Sequence, residues 1–128
     1  MMSNLKEILE LSKWLHEKGF EPDMVYDGET LSFETSYLNE GIGEPYFTLN
    51  RVLELLPNVI RADGFKYEFE MYQTADGFII WYTSDCGAVN KDFEGESSTS
   101  DEVDVELAAL RLLKQVVEAG YLKGENDE

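Results

Sequence analysis

One cysteine, one histidine and 27 carboxylates are the side chains of this 128-residue chain with most to offer chemically. A thiolate nucleophile needs a base within hydrogen-bond reach, and for Cys86 the only imidazole is His16. Cys86 stands in Thr83-Ser84-Asp85-Cys86-Gly87, directly after an apolar run. His16 falls on the apolar side of a helical pattern, where a half-buried, hydrogen-bonded imidazole is the ordinary outcome. The pair is not expected to meet. Carboxylate pairs for acid–base work can be drawn anywhere among so many acids, so none stands out. There is no Walker-type or dinucleotide glycine pattern and no Cys/His zinc spacing. The chain is read as non-enzymatic, with no catalytic residue, no metal and no cofactor assigned; an enzyme with an uncharacterised site is an alternative.

Residues 90–101 carry a second arrangement with chemical content. Asn90, Asp92, Glu94, Gly95, Glu96, Ser98 and Asp101 fall where a calcium-binding EF-hand loop places its oxygen ligands and central glycine. The segment resembles such a loop over twelve residues only. It opens on Asn rather than Asp and closes on Asp rather than a bidentate Glu. Ser97 takes the aliphatic position, and a strand rather than a helix precedes it. A calcium-binding domain is the alternative function this implies, beside a plain solvated acidic loop.

Charge constrains the partners more firmly. Acids outnumber Lys and Arg by 27 to 10, a net charge of −17. From residue 19 to 50 there is no Lys or Arg, and from 85 to 106 the only base is Lys91. Phosphates would be repelled, which argues against direct binding to nucleic acid or to an anionic membrane. A basic protein surface remains a natural partner. A single Cys86 excludes an internal disulfide and fits a reducing compartment. The N-terminal residues show no basic region followed by an apolar run, so no signal peptide is expected, and cytoplasmic is the expected location. The longest apolar stretch, Phe78-Ile79-Ile80-Trp81-Tyr82, is far too short to span a bilayer.

The elements that must position these residues are readable from periodicity. A helix is predicted from Ser3 or Asn4, with Asn4 and Glu7 as a capping box. Leu5, Ile8, Leu9, Ser12, Leu15 and His16 form its inner face, and Gly19 with Phe20 its stop. Trp14 lies nearly opposite that face. Three Asp-Gly pairs, at Asp27, Asp63 and Asp76, each predict a two-residue hairpin tip. The registers place Tyr26 opposite Glu29, Ile60 opposite Tyr67, Met71 opposite Tyr82 and Tyr72 opposite Trp81. Met24, Tyr26, Leu31 and Phe33 then share one face of the first hairpin. Ile60, Phe65, Tyr67, Phe69, Met71, Phe78, Ile80 and Tyr82 share one face of the later strands. Residues 37–48 read as a loop. Leu49, Val52, Leu53 and Leu56 predict a short helix ended by Pro57. Residues 85–100 read as a polar connection. Thr99 and Glu102 cap a last helix from about 101 to 119, closed by Gly120 and Tyr121. Its apolar residues spread so widely that cover on more than one side, by other elements or a second subunit, is expected.

The fold class expected is α+β. Residues 1–122 form a single two-layer domain, an antiparallel sheet of about five strands in the order helix-strand-strand-short helix-strand-strand-strand-helix. The helices pack on one face. Residues 123–128 are a disordered acidic tail. The other sheet face then carries Tyr72, Ile79 and Trp81 beside Glu68 and Glu70. An exposed aromatic group rimmed by charge marks a protein contact; a pair that only stabilises the sheet, or one covered by the 37–48 loop, is the competing reading. The function expected is a small acidic interaction or regulatory protein, monomer or homodimer. Its sharper version is an inhibitor of a basic partner, of toxin-immunity, DNA-mimic or phage-encoded type.

Overall fold

The computed structural model of the chain describes residues 2–62, 64–75, 77–84, 89–97 and 105–122. Helix α1 spans Met2–Glu17. Its buried line is Ile8, Leu11, Ser12 and Leu15, so the inner face is rotated towards Leu11, and His16 falls off its edge into solvent. Glu7 does not serve a capping box. Both its oxygens accept from Arg111, at 2.7 Å each, which ties this helix to the last one. The stop is as predicted: Gly19 N–H donates to His16 O and Phe20 N–H reaches back to Leu15 O. Trp14 is half-buried, with the Lys18 and Lys114 ammonium groups each 5.4 Å from its ring centre.

The expected single sheet of about five strands is instead two antiparallel sheets. The smaller holds β1 (Met24–Tyr26), β2 (Leu31–Ser32) and β3 (Glu44–Tyr46) in the order β2-β1-β3. β3 and a 3-10 helix over Thr35–Glu40 lie where sequence reads a loop. Pro45 and the flanking glycines read as breakers, yet an edge strand tolerates a proline, and among the described residues β3 pairs only with β1. Gly43 (φ +79°) carries the chain hard against β1: a Cβ there would lie 2.5 Å from Val25 Cγ1 and 2.9 Å from Tyr26 O. Val25, expected on the less apolar face, is consequently 1% exposed.

Helix α2 (Leu49–Leu55) follows, as predicted, with Pro57 just beyond it. Thr48 Oγ1 caps it by accepting from Arg51 N–H, and Asp23 holds Thr48 through both its N–H and its hydroxyl. The larger sheet has the order β4 (Val59–Ala62), β5 (Phe65–Thr74), β6 (Gly77–Ser84) and β7 (Val89–Ser97). β7 is a strand where a polar connection was expected. Its run of acids and Gly95 has low strand propensity, and pairing with β6 overrides it.

Helix α3 (Val105–Glu118) lies against β6 and β7 on one side and against α1 and α2 on the other. Leu107, Ala108, Ala109, Leu110, Leu112, Leu113, Val116 and Val117 are all buried, so the broad apolar surface is covered by other elements of the chain. This corrects the two-layer expectation. One helix lies on the large sheet, and α1 and α2 pack behind it. Tyr121 N–H to Val116 O and Gly120 N–H to Val117 O close α3 as predicted. Thr99, Glu102 and the tail 123–128 lie outside the described residues, as do Asp63, Asp76 and Cys86.

Candidate protein-binding face

The turn between β4 and β5 sets Ile60 opposite Tyr67, the predicted register. The other two hairpins differ. Between β1 and β2, Tyr26 pairs with Leu31, and the tip moves one residue on, to Gly28 and Glu29. Asp27 acts there as a side-chain acceptor: its Oδ1 takes Glu29 N–H at 2.8 Å and Thr30 N–H at 2.9 Å, while its own N–H donates to Thr30 O. Those bonds hold the Asp27 carboxyl below its usual range. Between β5 and β6, Thr74 pairs with Gly77, so the tip is one residue earlier than predicted. Met71 is opposite Ile80 rather than Tyr82, and Tyr72 is opposite Ile79 rather than Trp81.

Each shift changes partners by two residues and so leaves every side chain on its expected face. Burial cannot choose between such registers; specific cross-strand pairs can. Phe69 lies opposite Tyr82 with the rings edge to face, 5.6 Å between centres. Glu70 lies opposite Trp81, whose indole N–H donates to Glu70 Oε1 at 3.1 Å. On the α3 side, Ile60, Tyr67, Ile80 and Tyr82 are buried and Phe69 packs on the core. Tyr82 Oη donates to Pro57 O at 2.7 Å, and burial raises its pKa well above that of free tyrosine. Met71 and Phe65 of the same set are exposed, near opposite ends of β5. Phe78 has no described side chain.

All five residues expected at the contact lie on the sheet face away from α3. Tyr72 is 41% exposed, Glu68 and Glu70 are exposed, and Ile79 and Trp81 are half-buried. Tyr72 and Trp81 are diagonal neighbours with ring centres 5.7 Å apart at 63°, still an aromatic pair. Trp81 is therefore pinned from two sides, by the Tyr72 ring and by the Glu70 carboxylate. The backbone register also sets Glu96 beside Ile79 and Glu94 beside Trp81. The face is not uniformly acidic. Arg61 and Lys66 are paired at its far end, where Lys66 Nζ lies 3.5 Å from Glu68 Oε1.

Sequence reasoning missed two features. Val59, opposite Glu68 and exposed, extends the apolar part of the face; the hairpin register that placed Ile60 inward already implied it. Leu31, Phe33, Tyr37 and Ile42 are also exposed, among Glu29, Glu34, Glu40 and Glu44. The hairpin pattern groups Leu31 and Phe33 on one face with Met24 and Tyr26. Only the latter two reach the core, because β2 ends at Ser32 and Phe33 (81% exposed) stands beyond it.

The remaining candidates gain no support. Residues 90–97 of the EF-hand-like segment lie within the extended β7, whereas such a loop must curl around its ion. Among the described residues no group of three or more His, Cys, Asp or Glu is placed to hold a metal. His16 is exposed, and its Nδ1 lies 3.4 Å from Phe20 O. It borders an open groove of about 310 Å³ lined also by Glu21, Pro22, Thr35, Ser36, Leu38 and Asn39, with no Cys or Lys nucleophile among them. Among the described residues no helix is long and apolar enough to cross a membrane. No family model matches the chain, and neither the curated proteins nor the solved structures compared with it give a match.

Proposed function

We propose that this is a small, non-catalytic interaction protein that binds a basic protein partner through the open face of its larger sheet. The observation that carries the reading is Trp81, held by Tyr72 and Glu70 on a face that no described helix covers, with exposed carboxylates alongside. Trp and Tyr anchors on a rigid support lose little conformational freedom on binding, and they dominate contact energies. A net charge of −17 would steer a cationic partner towards the molecule and make the complex salt-sensitive. The sharper form is an inhibitor whose carboxylates occupy a basic cleft, as in a toxin-immunity pair or a DNA mimic. The cytoplasm is the compartment this reading assumes.

Immobilised protein at low salt should retain a basic protein from the extract of its own source. Moderate salt should release it. The double change Tyr72→Ala with Trp81→Ala should weaken retention by about tenfold or more. Glu68→Gln with Glu70→Gln should act mainly on the association rate. Phe33→Ser, on the other exposed apolar group, should leave retention unchanged. Equal capture by the wild type and the Tyr72/Trp81 variant would refute the reading, provided circular dichroism shows both folded.

A further inference from the structure

β5 is longer than the strand beside it. β4 pairs with Phe65 through Glu68, and one more bond, Phe69 N–H to Asn58 O at 3.0 Å, closes that ladder. Pro57 has no N–H to continue it, and its carbonyl already accepts from Tyr82. Leu56 N–H still donates to Val52 O in the last turn of α2. The chain thus leaves the sheet at Asn58. In an antiparallel ladder a residue sends its N–H and C=O to the same side, and that side alternates along the strand. Phe69 faces β4, so Met71 and Gln73 point their backbone groups the same way, past the place where β4 has gone. Among the described residues no strand pairs with them there. Met71, Tyr72 and Gln73 are all exposed.

Proteins usually blunt such an edge with Lys, Pro or a bulge. The stretch Phe69-Glu70-Met71-Tyr72-Gln73-Thr74 has none of these, and Glu70 is its only charge. We propose that the edge of β5 at Met71 and Gln73 receives an extended basic segment of the partner as an added strand. This rests on the reading that the Tyr72–Trp81 face meets a basic protein, and it specifies how. A second copy is a poor occupant, because it would bring −17 against −17. A guest strand alternates its side chains as β5 does. Residues opposite Met71 and Gln73 lie on the α3 side, where an apolar side chain covers Met71, now 40% exposed. Residues opposite Glu70 and Tyr72 lie on the outer face, where Arg or Lys meets the carboxylate and the ring. The segment recognised is therefore alternately basic and apolar, bound by main-chain pairing with side chains adding selectivity.

The test uses the full ¹⁵N-labelled chain with two capped peptides of sequence Arg-Val-Arg-Val-Arg-Val-Arg. One is unmodified and the other is N-methylated at every valine, which removes the donors on the pairing edge but keeps the charge. The unmodified peptide should slow amide exchange at Met71 and Gln73 by about tenfold or more and shift the Trp81 indole resonance. The methylated peptide should not slow exchange. Unchanged exchange at both amides, or equal slowing by both peptides, would overturn strand addition. If both peptides shift the Trp81 indole while exchange stays unchanged, the face still binds basic ligands and only the added strand is lost. If neither moves it, the broader reading fails too. Slowing that appears without peptide and grows with protein concentration would name a second copy as occupant and overturn the proposal.

Discussion

The two sheets draw on similar residues, yet they differ in how much of their apolar faces is covered. β6 pairs with β5 over its whole length, and α3 covers the face that carries Ile80 and Tyr82. The smaller sheet has strands of two and three residues. Its best-buried side chain, Val25, is covered by the close pass of Gly43, while Phe33 stands in solvent. Alternation decides which side chains share a face. Whether that face becomes core depends on a second element arriving to cover it, and the hairpin's own sequence does not encode that arrival.

The largest expected effect tests this contrast directly. Tyr82→Ala should cost about 3–5 kcal/mol, the range for truncating a large buried aromatic. Phe33→Ala, an equally drastic truncation just beyond the end of β2, should stay within about 0.5 kcal/mol. Urea unfolding of both variants measures the gap. A Phe33 cost approaching that of Tyr82 would mean that the two sheets are equally sealed. Tyr82→Phe sharpens the point, leaving Pro57 O without its donor at about 1–3 kcal/mol.

The smaller sheet has one position where packing is as tight as in the core. Gly43→Ala places a Cβ against Val25 and Tyr26 and should cost about 1–3 kcal/mol from overpacking, in addition to the left-handed backbone. Gly41→Ala, also left-handed (φ +75°) but with open space around it, should cost only the backbone term of about 1–2 kcal/mol. Chemical shifts of Val25 and Tyr26 should move in the first variant and not in the second. Equal destabilisation would show that backbone conformation, rather than the approach to β1, sets the cost.

Much of this was legible before any coordinates, for a definable reason. Period-two patterning grouped the side chains that share a face correctly even where two hairpin tips were misplaced by one residue, because both shifts keep parity. Trp81 and Tyr72 therefore appear on the open face, as partners on a diagonal instead of directly opposite. What the pattern could not reach were features set by tertiary pairing. Asp27 spends its carboxylate on two backbone donors and moves the turn. β7 forms from residues with poor strand propensity because β6 offers it an edge. Glu7, read as a cap, is taken by Arg111 far along the chain. Residue-level chemistry fixed none of these choices in advance.

The smallest effect compares the acids that tie each region together. Arg111 lowers the Glu7 pKa mainly by its direct hydrogen bonds, and backbone donors lower that of Asp27. Both pKa values are depressed on folding. Each contribution is therefore present above the unfolded carboxylate pKa and lost as pH falls through the folded one. The Glu7–Arg111 pair is largely solvent-exposed, so Glu7→Gln should cost less than about 1 kcal/mol at neutral pH. That difference from wild type should vanish in acid. High salt should return the Glu7 pKa part of the way to normal, because the coulombic share of an exposed charged pair is screened. Asp27 should hold its depression, since its donors are neutral amides at hydrogen-bond distance. Carbon-detected NMR titrations at low and high salt separate the two. An Asp27 shift that shrinks with salt as Glu7's does would show that the turn is held by the field of the chain, not by the two N–H groups pointing at its carboxylate.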